Sequence, residues 1–371
     1  MSSQVKRIKV NLNKKLSSSY EISIGHDIIG KIGTIIAENR IADRYVVVTD
    51  SNVSVLYGEL FLKELRKAGG EKAKAEIIEF PAGEASKNIT TALTIVGRLL
   101  NLGVDRKSAL LALGGGVVGD MTGFIASVFM RSIPYIQVPT SLLAQVDSSI
   151  GGKTAVDLPE GKNLLGTFYQ PRGVFVDLKF LDTLPAGEFN NGMAEIIKYG
   201  IIDDPDFFCL LEEGVEAIKK RDEAFLERIV TTSCRTKKKI VEIDEKDQGL
   251  RHILNFGHTI GHAVESGSEY KIPHGSAISA GMIAAARISE RLYDFPSSDR
   301  ARIERLIEAV GLPGYIPEFI RTEGVLARLK WDKKKSGTMI NFVLLKKIGM
   351  PFVTAQVTES TLREVIEELR K

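Results

Sequence analysis

The residues best suited to chemistry lie in the second half of the chain. Five histidines occur in 371 residues: His26, His252, His258, His262 and His274. His258 and His262 stand four apart, so on a helix they share a face. His-x-x-x-His is a common zinc pair that takes a third ligand from elsewhere. Glu195, within Met193-Ala194-Glu195-Ile196-Ile197-Lys198, is an acid among apolar residues with Lys198 one turn on, and it offers that third ligand. The same residues also fit packed histidines beside a structural Glu–Lys pair. Spacing leaves open which two of the three clustered histidines would bind.

A second group is cationic. Arg131, Lys153, Lys162, Lys198, Lys237 and Arg251, together with Asn163, lie in or beside stretches rich in glycine, asparagine and histidine. Guanidinium forks hold carboxylates or phosphates bidentately, and lysines act as point charges. The ligand this predicts is small and multiply anionic. Most members of Lys237-Lys238-Lys239 and Lys333-Lys334-Lys335 read as solvated faces.

The third feature is Leu113-Gly114-Gly115-Gly116-Val117-Val118-Gly119-Asp120, which follows an apolar run and opens a helical stretch. Gly114, Gly116 and Gly119 meet the G-x-G-x-x-G spacing, although Gly115 and Asp120 are unusual there. Glycines let backbone N–H groups approach a phosphate, and a helix N-terminus favours its charge. A tight turn without a ligand, with Asp120 as a cap, is the structural alternative.

These groups need a scaffold. Short apolar runs at 46–48, 77–80, 109–113, 135–138 and 174–176 alternate with helical stretches such as 54–67 and 89–100. That pattern predicts parallel strands covered on both faces, in a Rossmann-like doubly wound α/β domain over residues 1–185. Pro185 and Gly187 punctuate a change of pattern. Residues 186–371 then read as a mostly α-helical domain, with helices near 188–200, 206–219, 223–242, 253–266, 275–292 and 298–310. Strand-like runs return only at 339–345 and 352–357. Ligand sites form at strand carboxyl ends and between domains.

Composition narrows the class. Fifty basic residues against 47 acidic ones leave a net charge of +3, without the basic surplus of a nucleic-acid binder. No apolar run reaches the length of a membrane span, and the first residues lack a signal-peptide core. Cys209 and Cys234 alone make neither a disulfide framework nor a zinc knuckle. The expectation is a cytoplasmic enzyme.

Longer motifs carry a resemblance. Gly114–Asp120, the segment 138–154 (VPTSLLAQVDSSIGGKT), the segment 161–171 (GKNLLGTFYQP), Met193–Lys198 and the segment 250–263 (LRHILNFGHTIGHA) resemble the 3-dehydroquinate synthase family of sugar-phosphate cyclases. The similarity spans nearly the whole chain and is weakest at its ends.

The resemblance implies a shikimate-pathway lyase that uses NAD and a divalent metal, zinc or cobalt. Its substrate would be 3-deoxy-D-arabino-heptulosonate 7-phosphate, and its products 3-dehydroquinate and phosphate. It implies Glu195, His258 and His274 as metal ligands, with His262 facing the substrate instead. NAD contacts would come from Asp50, Glu84, Lys87, Gly115, Gly116, Val117, Val118, Gly119, Asp120, Thr140, Ser141, Lys153, Lys162, Phe180, Leu181, Asp182 and Thr183. Substrate contacts would come from Asp147, Lys153, Lys162, Asn163, Lys198, Lys237, Arg251, Asn255, His262, His274 and either Lys333 or Lys334. The resemblance also implies a homodimer, in which Arg131 would reach into the partner's site. Ser141 stands where the family often has threonine, which keeps the hydroxyl.

Three rival readings remain at this point. A sister cyclase would act on a sugar phosphate without a carboxylate, which leaves Lys237 and Arg251 unexplained. A metal-dependent polyol dehydrogenase would leave the Lys153, Lys162 and Asn163 cluster unused. A sensor would bind the sugar phosphate without turnover.

Overall fold

The computed structural model describes residues 19–39, 41–69, 75–336 and 340–371. Ten strands occur among them: β1 (Ile22–Gly25), β2 (Arg44–Asp50), β3 (Ala75–Phe80), β4 (Ser108–Gly114), β5 (Tyr135–Pro139), β6 (Lys153–Leu158), β7 (Gly161–Phe168), β8 (Val174–Asp177), β9 (Phe342–Lys347) and β10 (Met350–Thr354). Six of them form a parallel sheet in the order β1-β8-β5-β4-β2-β3. The chain moves outward from β2 to β3, then returns to β4 on the other side of β2. The order therefore reverses between β2 and β4, which makes their carboxyl ends a topological switch point.

Helices of the first half are α1 (Ile29–Asn39), α2 (Ser51–Val53), α3 (Glu59–Gly69), α4 (Ile89–Asn101) and α5 (Gly116–Val128); a π-turn, Ser54–Gly58, joins α2 to α3. Successive strand side chains point to opposite faces, and each face has its own core. Val46, Val48, Leu110 and Ala112 pack with α4 and α5 residues such as Ile95 and Met121. Val47, Leu111, Leu113 and Ile136 pack with α1 and α3 residues such as Ile32 and Phe61. Burial on both faces explains why these strands read as continuous apolar runs.

The second half contains α6 (Ala186–Ile202), α7 (Pro205–Glu213), α8 (Val215–Lys219), α9 (Glu223–Ile243), α10 (His258–Gly267), α11 (His274–Tyr293), α12 (Ser297–Ala309), α13 (Thr322–Ser336) and α14 (Glu359–Leu369). Its core also takes in Leu142, Val146, Val174 and Val176, so the helices pack directly against the sheet's β8 side.

Four expectations need correction. The β6–β7 hairpin is antiparallel and was not anticipated; its register pairs Lys153 with Phe168 and Val156 with Leu165. The helix expected over 206–219 is two, because Gly214 separates α7 from α8. The helix expected over 253–266 starts only at His258, after a 3₁₀ turn at Leu250–Asn255. Gly257 interrupts it with a left-handed φ of 77°. The second late strand runs over Met350–Thr354, earlier than expected. Met339 and the side chains of 332–336, including Lys333 and Lys334, lie outside the described residues.

Candidate active site

Three helices bring the candidate metal ligands together. Glu195 sits in the buried middle of α6, His258 opens α10 and His274 opens α11. Close passage of α10 and α11 makes this possible. A Cβ on Gly257 would lie 2.5 Å from Met282 Cγ, and one on Gly281 only 2.0 Å from the Gly257 carbonyl oxygen. Asn191 on α6 accepts the Gly275 N–H at 2.9 Å and pins the start of α11.

The ligand atoms of Glu195, His258 and His274 lie within 4.8 Å of one another. Both imidazoles turn Nε2 to Glu195 Oε1, at 3.4 and 3.6 Å. Their Nδ1 atoms are engaged elsewhere, His258 with the Phe256 carbonyl at 3.1 Å and His274 with Glu265 Oε2 at 3.3 Å. With Nδ1 protonated, each ring presents an Nε2 lone pair to the common centre. Neither Glu195 oxygen accepts a hydrogen bond of normal geometry, although Lys198 Nζ lies against Oε2. A carboxylate buried to 1% exposure without proper donors, facing two imidazoles, fits a divalent cation. Burial opposes the Glu195 charge, but Lys198 and the imidazoles outweigh it and hold its pKa well below the usual carboxylate range. Burial likewise opposes charge on His274, yet Glu195 and Glu265 raise its pKa to about 9, so a cation bound there has to displace the Nε2 proton.

His262 is the third corner of the imidazole group, 5.2 Å from His258 and 6.0 Å from His274 between ring centres. It opens onto a pocket of about 280 Å³ shared with Asn255, His258, Thr259 and Asn341. His262, Glu265 and His274 also lie close enough to hold an ion. In that set Glu265 is already bonded to Lys162 at 2.9 Å, and it meets His274 through Nδ1 and not Nε2.

Buried cations adjoin this centre. Lys237 Nζ donates to Asp147 Oδ1 at 2.5 Å and to its carbonyl at 2.6 Å, and Tyr199 donates to the same Oδ1 at 2.5 Å. Burial works against the Asp147 charge, but the Lys237 ammonium brings its pKa down to about 2. Arg251 is 3% exposed and donates to the Glu245 carbonyl at 2.8 Å. Its guanidinium crosses so close to Gly151 that a Cβ there would stand 2.4 Å from Nη2. With five N–H donors, it keeps capacity for an anion.

The β6–β7 hairpin carries Lys153, Lys162 and Asn163 toward the helices. Lys153 pairs with Asp247, and Lys162 pairs with Glu265 and with Glu84 at 3.6 Å. Asn163, at φ 57°, accepts from Lys87 Nζ at 2.6 Å, and Lys87 also donates to Asp120 at 2.6 Å. One hydrogen-bonded row thus joins the hairpin to the glycine turn.

The predicted dinucleotide residues gather along the carboxyl edge of the sheet. Gly114 ends β4, Gly115 precedes α5, and no side chain caps that helix. Its first N–H groups are free for a phosphate. Gly119 packs on Gln137, where a Cβ would meet Oε1 at 2.7 Å, so this glycine serves helix–strand contact. Thr140 donates its N–H to the Gly114 carbonyl at 3.0 Å. Asp50, at the end of β2, accepts the Asn52 and Val53 N–H groups at 2.9 and 3.0 Å. Thr183 bonds Tyr57 at 2.6 Å, and Tyr57 meets Phe180 edge-on at 4.7 Å. This open cradle of backbone donors fits a dinucleotide pyrophosphate.

Arg131 does not join the cluster within one chain. It stands exposed in a turn where Met130, Arg131 and Ser132 all have positive φ, and it makes no ion pair among the described residues. A larger cavity of about 930 Å³, between β1 and α9, contains none of the predicted site residues. Sequence reasoning missed Glu265, Tyr199, Tyr57 and Asp247. Glu265 was within reach, because it follows His258 by seven on the same helix and shares its face.

A doubly wound sheet feeding a helical half, with phosphate donors at the sheet's carboxyl edge and metal-ligand candidates in the helices, fits the class of sugar-phosphate cyclases. Solved structures agree. A 2-deoxy-scyllo-inosose synthase, complexed with carbaglucose-6-phosphate, NAD⁺ and Co²⁺, superposes with a TM-score of 0.84 at 30% identity, over 94% of this chain and 96% of that one. The 2-epi-5-epi-valiolone synthase ValA of Streptomyces hygroscopicus, with NAD⁺ and Zn²⁺ bound, shares the fold at a TM-score of 0.87 and 24% identity, over 99% of both chains. The family models for the 3-dehydroquinate synthase N-terminal and C-terminal parts match residues 77–191 and 192–335. The 3-dehydroquinate synthase of Desulforamulus reducens is 42% identical over 97% of this chain and 99% of its own. That of Syntrophotalea carbinolica is 45% identical over 93% and 94%. The chain belongs to the 3-dehydroquinate synthase family.

Proposed function

We infer that the chain converts 3-deoxy-D-arabino-heptulosonate 7-phosphate to 3-dehydroquinate and inorganic phosphate, with NAD and zinc or cobalt bound. The observation that carries this reading is the pairing of buried Lys237 and Arg251 with the Glu195–His258–His274 centre. A substrate with a carboxylate at one end and a phosphate at the other uses both the buried pair and the hairpin cations.

When bound, the cation supplies Lewis-acid polarisation, and NAD supplies a reversible hydride acceptor. Glu195, His258 and His274 hold the cation in this reading. Lys237 and Arg251 take the substrate carboxylate. Lys153, Lys162, Asn163, Asn255 and His262 surround the phosphate and stabilise its charge as it leaves. Asp147 and Lys198 orient the reacting carbons, and the phosphate itself serves as base. The glycine turn, Asp50, Glu84, Lys87, Thr140, Ser141 and the 180–183 turn position NAD. We divide the chain functionally at 185/186 and place it in the cytoplasm, in keeping with two unpaired cysteines.

We further propose a homodimer in which Arg131 enters the partner's site. Exposed Val128, Leu164, Leu165 and Phe168 offer an apolar surface for it. The Thr167–Ser127 hydrogen bond, 2.9 Å, joins the two segments that carry these residues.

The deciding assay follows phosphate release from the heptulosonate phosphate by metal-loaded protein with NAD⁺, while NADH is monitored by absorbance. Stoichiometric phosphate without accumulating NADH is expected. Turnover only of a sugar phosphate lacking a carboxylate would make the chain a sister cyclase. NADH accumulating with polyols would make it a dehydrogenase.

A further inference from the structure

Glu265 is buried, charged and shared between two groups of different function. It is 7% exposed and sits near the end of α10. Its Oε2 faces His274 Nδ1 at 3.3 Å, and its Oε1 accepts from Lys162 Nζ at 2.9 Å. The first contact belongs to the metal-ligand group. The second belongs to the hairpin that carries the anion-binding cations, more than a hundred residues away in sequence.

We propose that Glu265 is a positioning residue that orients His274 toward the metal centre and at the same time ties Lys162 to it. This rests on the reading of Glu195, His258 and His274 as metal ligands. A carboxylate on the far nitrogen of a ligand histidine fixes the tautomer and the ring orientation. At Nδ1 that ring has no second partner: His258 Nδ1 is held by a backbone carbonyl, whereas His274 Nδ1 has only Glu265 among the described residues. The other oxygen meets a lysine that is drawn to it by charge as well as by the hydrogen bond. Lys162 also lies 4.4 Å above the Tyr270 ring, so it is held against the end of α10 from two sides. One side chain thereby sets the distance between the metal centre and the phosphate-binding lysine.

Two substitutions separate the two contacts. Glu265→Ala removes both and should weaken Co²⁺ binding roughly 10–100-fold, read by chelator competition on the purified full chain. Glu265→Gln keeps an acceptor for His274 but loses the charge that draws Lys162. It should retain Co²⁺ affinity within about threefold, while KM for the heptulosonate phosphate rises about threefold or more. If Glu265→Ala does not fold, Glu265→Asp takes its place, because the shortened carboxylate does not span both partners. Unchanged Co²⁺ affinity in a folded Ala or Asp variant would overturn the His274 role, and unchanged KM in the Gln variant would overturn the Lys162 link. His274→Ala is measured alongside: if it binds Co²⁺ as tightly as the parent, the ligand assignment fails, and not the positioning role alone.

Discussion

Arg251 and Lys237 look alike as sequence, yet the structure anchors them differently. Arg251 is fastened to backbone carbonyls at 151 and 245, and Lys237 is held by Asp147. Removing Arg251 leaves the metal ligands untouched. Arg251→Ala should lower kcat/KM roughly 10²-fold through substrate binding, with metal content by elemental analysis equal to the parent's. Unchanged kinetics would remove Arg251 from the carboxylate role. Asp147 gives a pH prediction. Its folded pKa of about 2 lies below the ordinary 3.8. Its stabilisation is thus present above pH 4 and is lost as pH falls toward 2. It amounts to on the order of 2 kcal/mol. The comparison that isolates this group is the urea midpoint of Asp147→Asn against that of the parent, at pH 5 and at pH 2.5. That variant should be the less stable at pH 5, and its deficit should shrink by about two thirds at pH 2.5, just above the folded pKa. A constant difference across that range would dismiss the assignment.

At the scale of elements, the site depends on how α10 crosses α11. Gly257 combines a left-handed φ with a contact that excludes a Cβ. Gly257→Ala should cost roughly 2–4 kcal/mol, from backbone strain and overpacking together. It should also loosen metal retention, because His258 is the next residue. Thermal unfolding with and without added Co²⁺ checks this: a fully stable, fully metallated variant would show that the crossing is not needed. The β6–β7 hairpin is the other decisive element. Its residues were legible as anion-binding groups but not as strands. Lys153 and Lys162 stood out by charge and Asn163 by its place beside Lys162, while the turn around Pro159 and Gly161 went unread as a hairpin signal. Only the hairpin explains how residues so distant from α10 reach Glu265 and Asp247.

For the whole molecule, the proposed dimer makes a test that neither protomer can pass alone. Arg131→Ala and His258→Ala should each be nearly inactive as pure proteins. Co-refolded in equal amounts, they should recover about a quarter of parental activity. Half of randomly formed pairs are mixed, and each mixed pair has one complete site. No recovery, with mixed pairs verified by mass, would place Arg131 outside the partner's site.

The alternation of apolar runs and helical stretches determined the doubly wound half and its helical partner, because burial on both faces of a parallel sheet leaves a signature along the chain. The glycine turn, the cations and the metal-ligand candidates were legible as types for the same reason: their chemistry is local. Which histidines face Glu195 was not legible from spacing, and only the family resemblance implied His258 and His274. His258 and His262 are four apart and His274 lies beyond the next turn, yet His274 joins His258 at the carboxylate. That choice belongs to tertiary structure, since only the glycine-lined crossing of two helices, and a third helix buried beneath them, brings these side chains to one point.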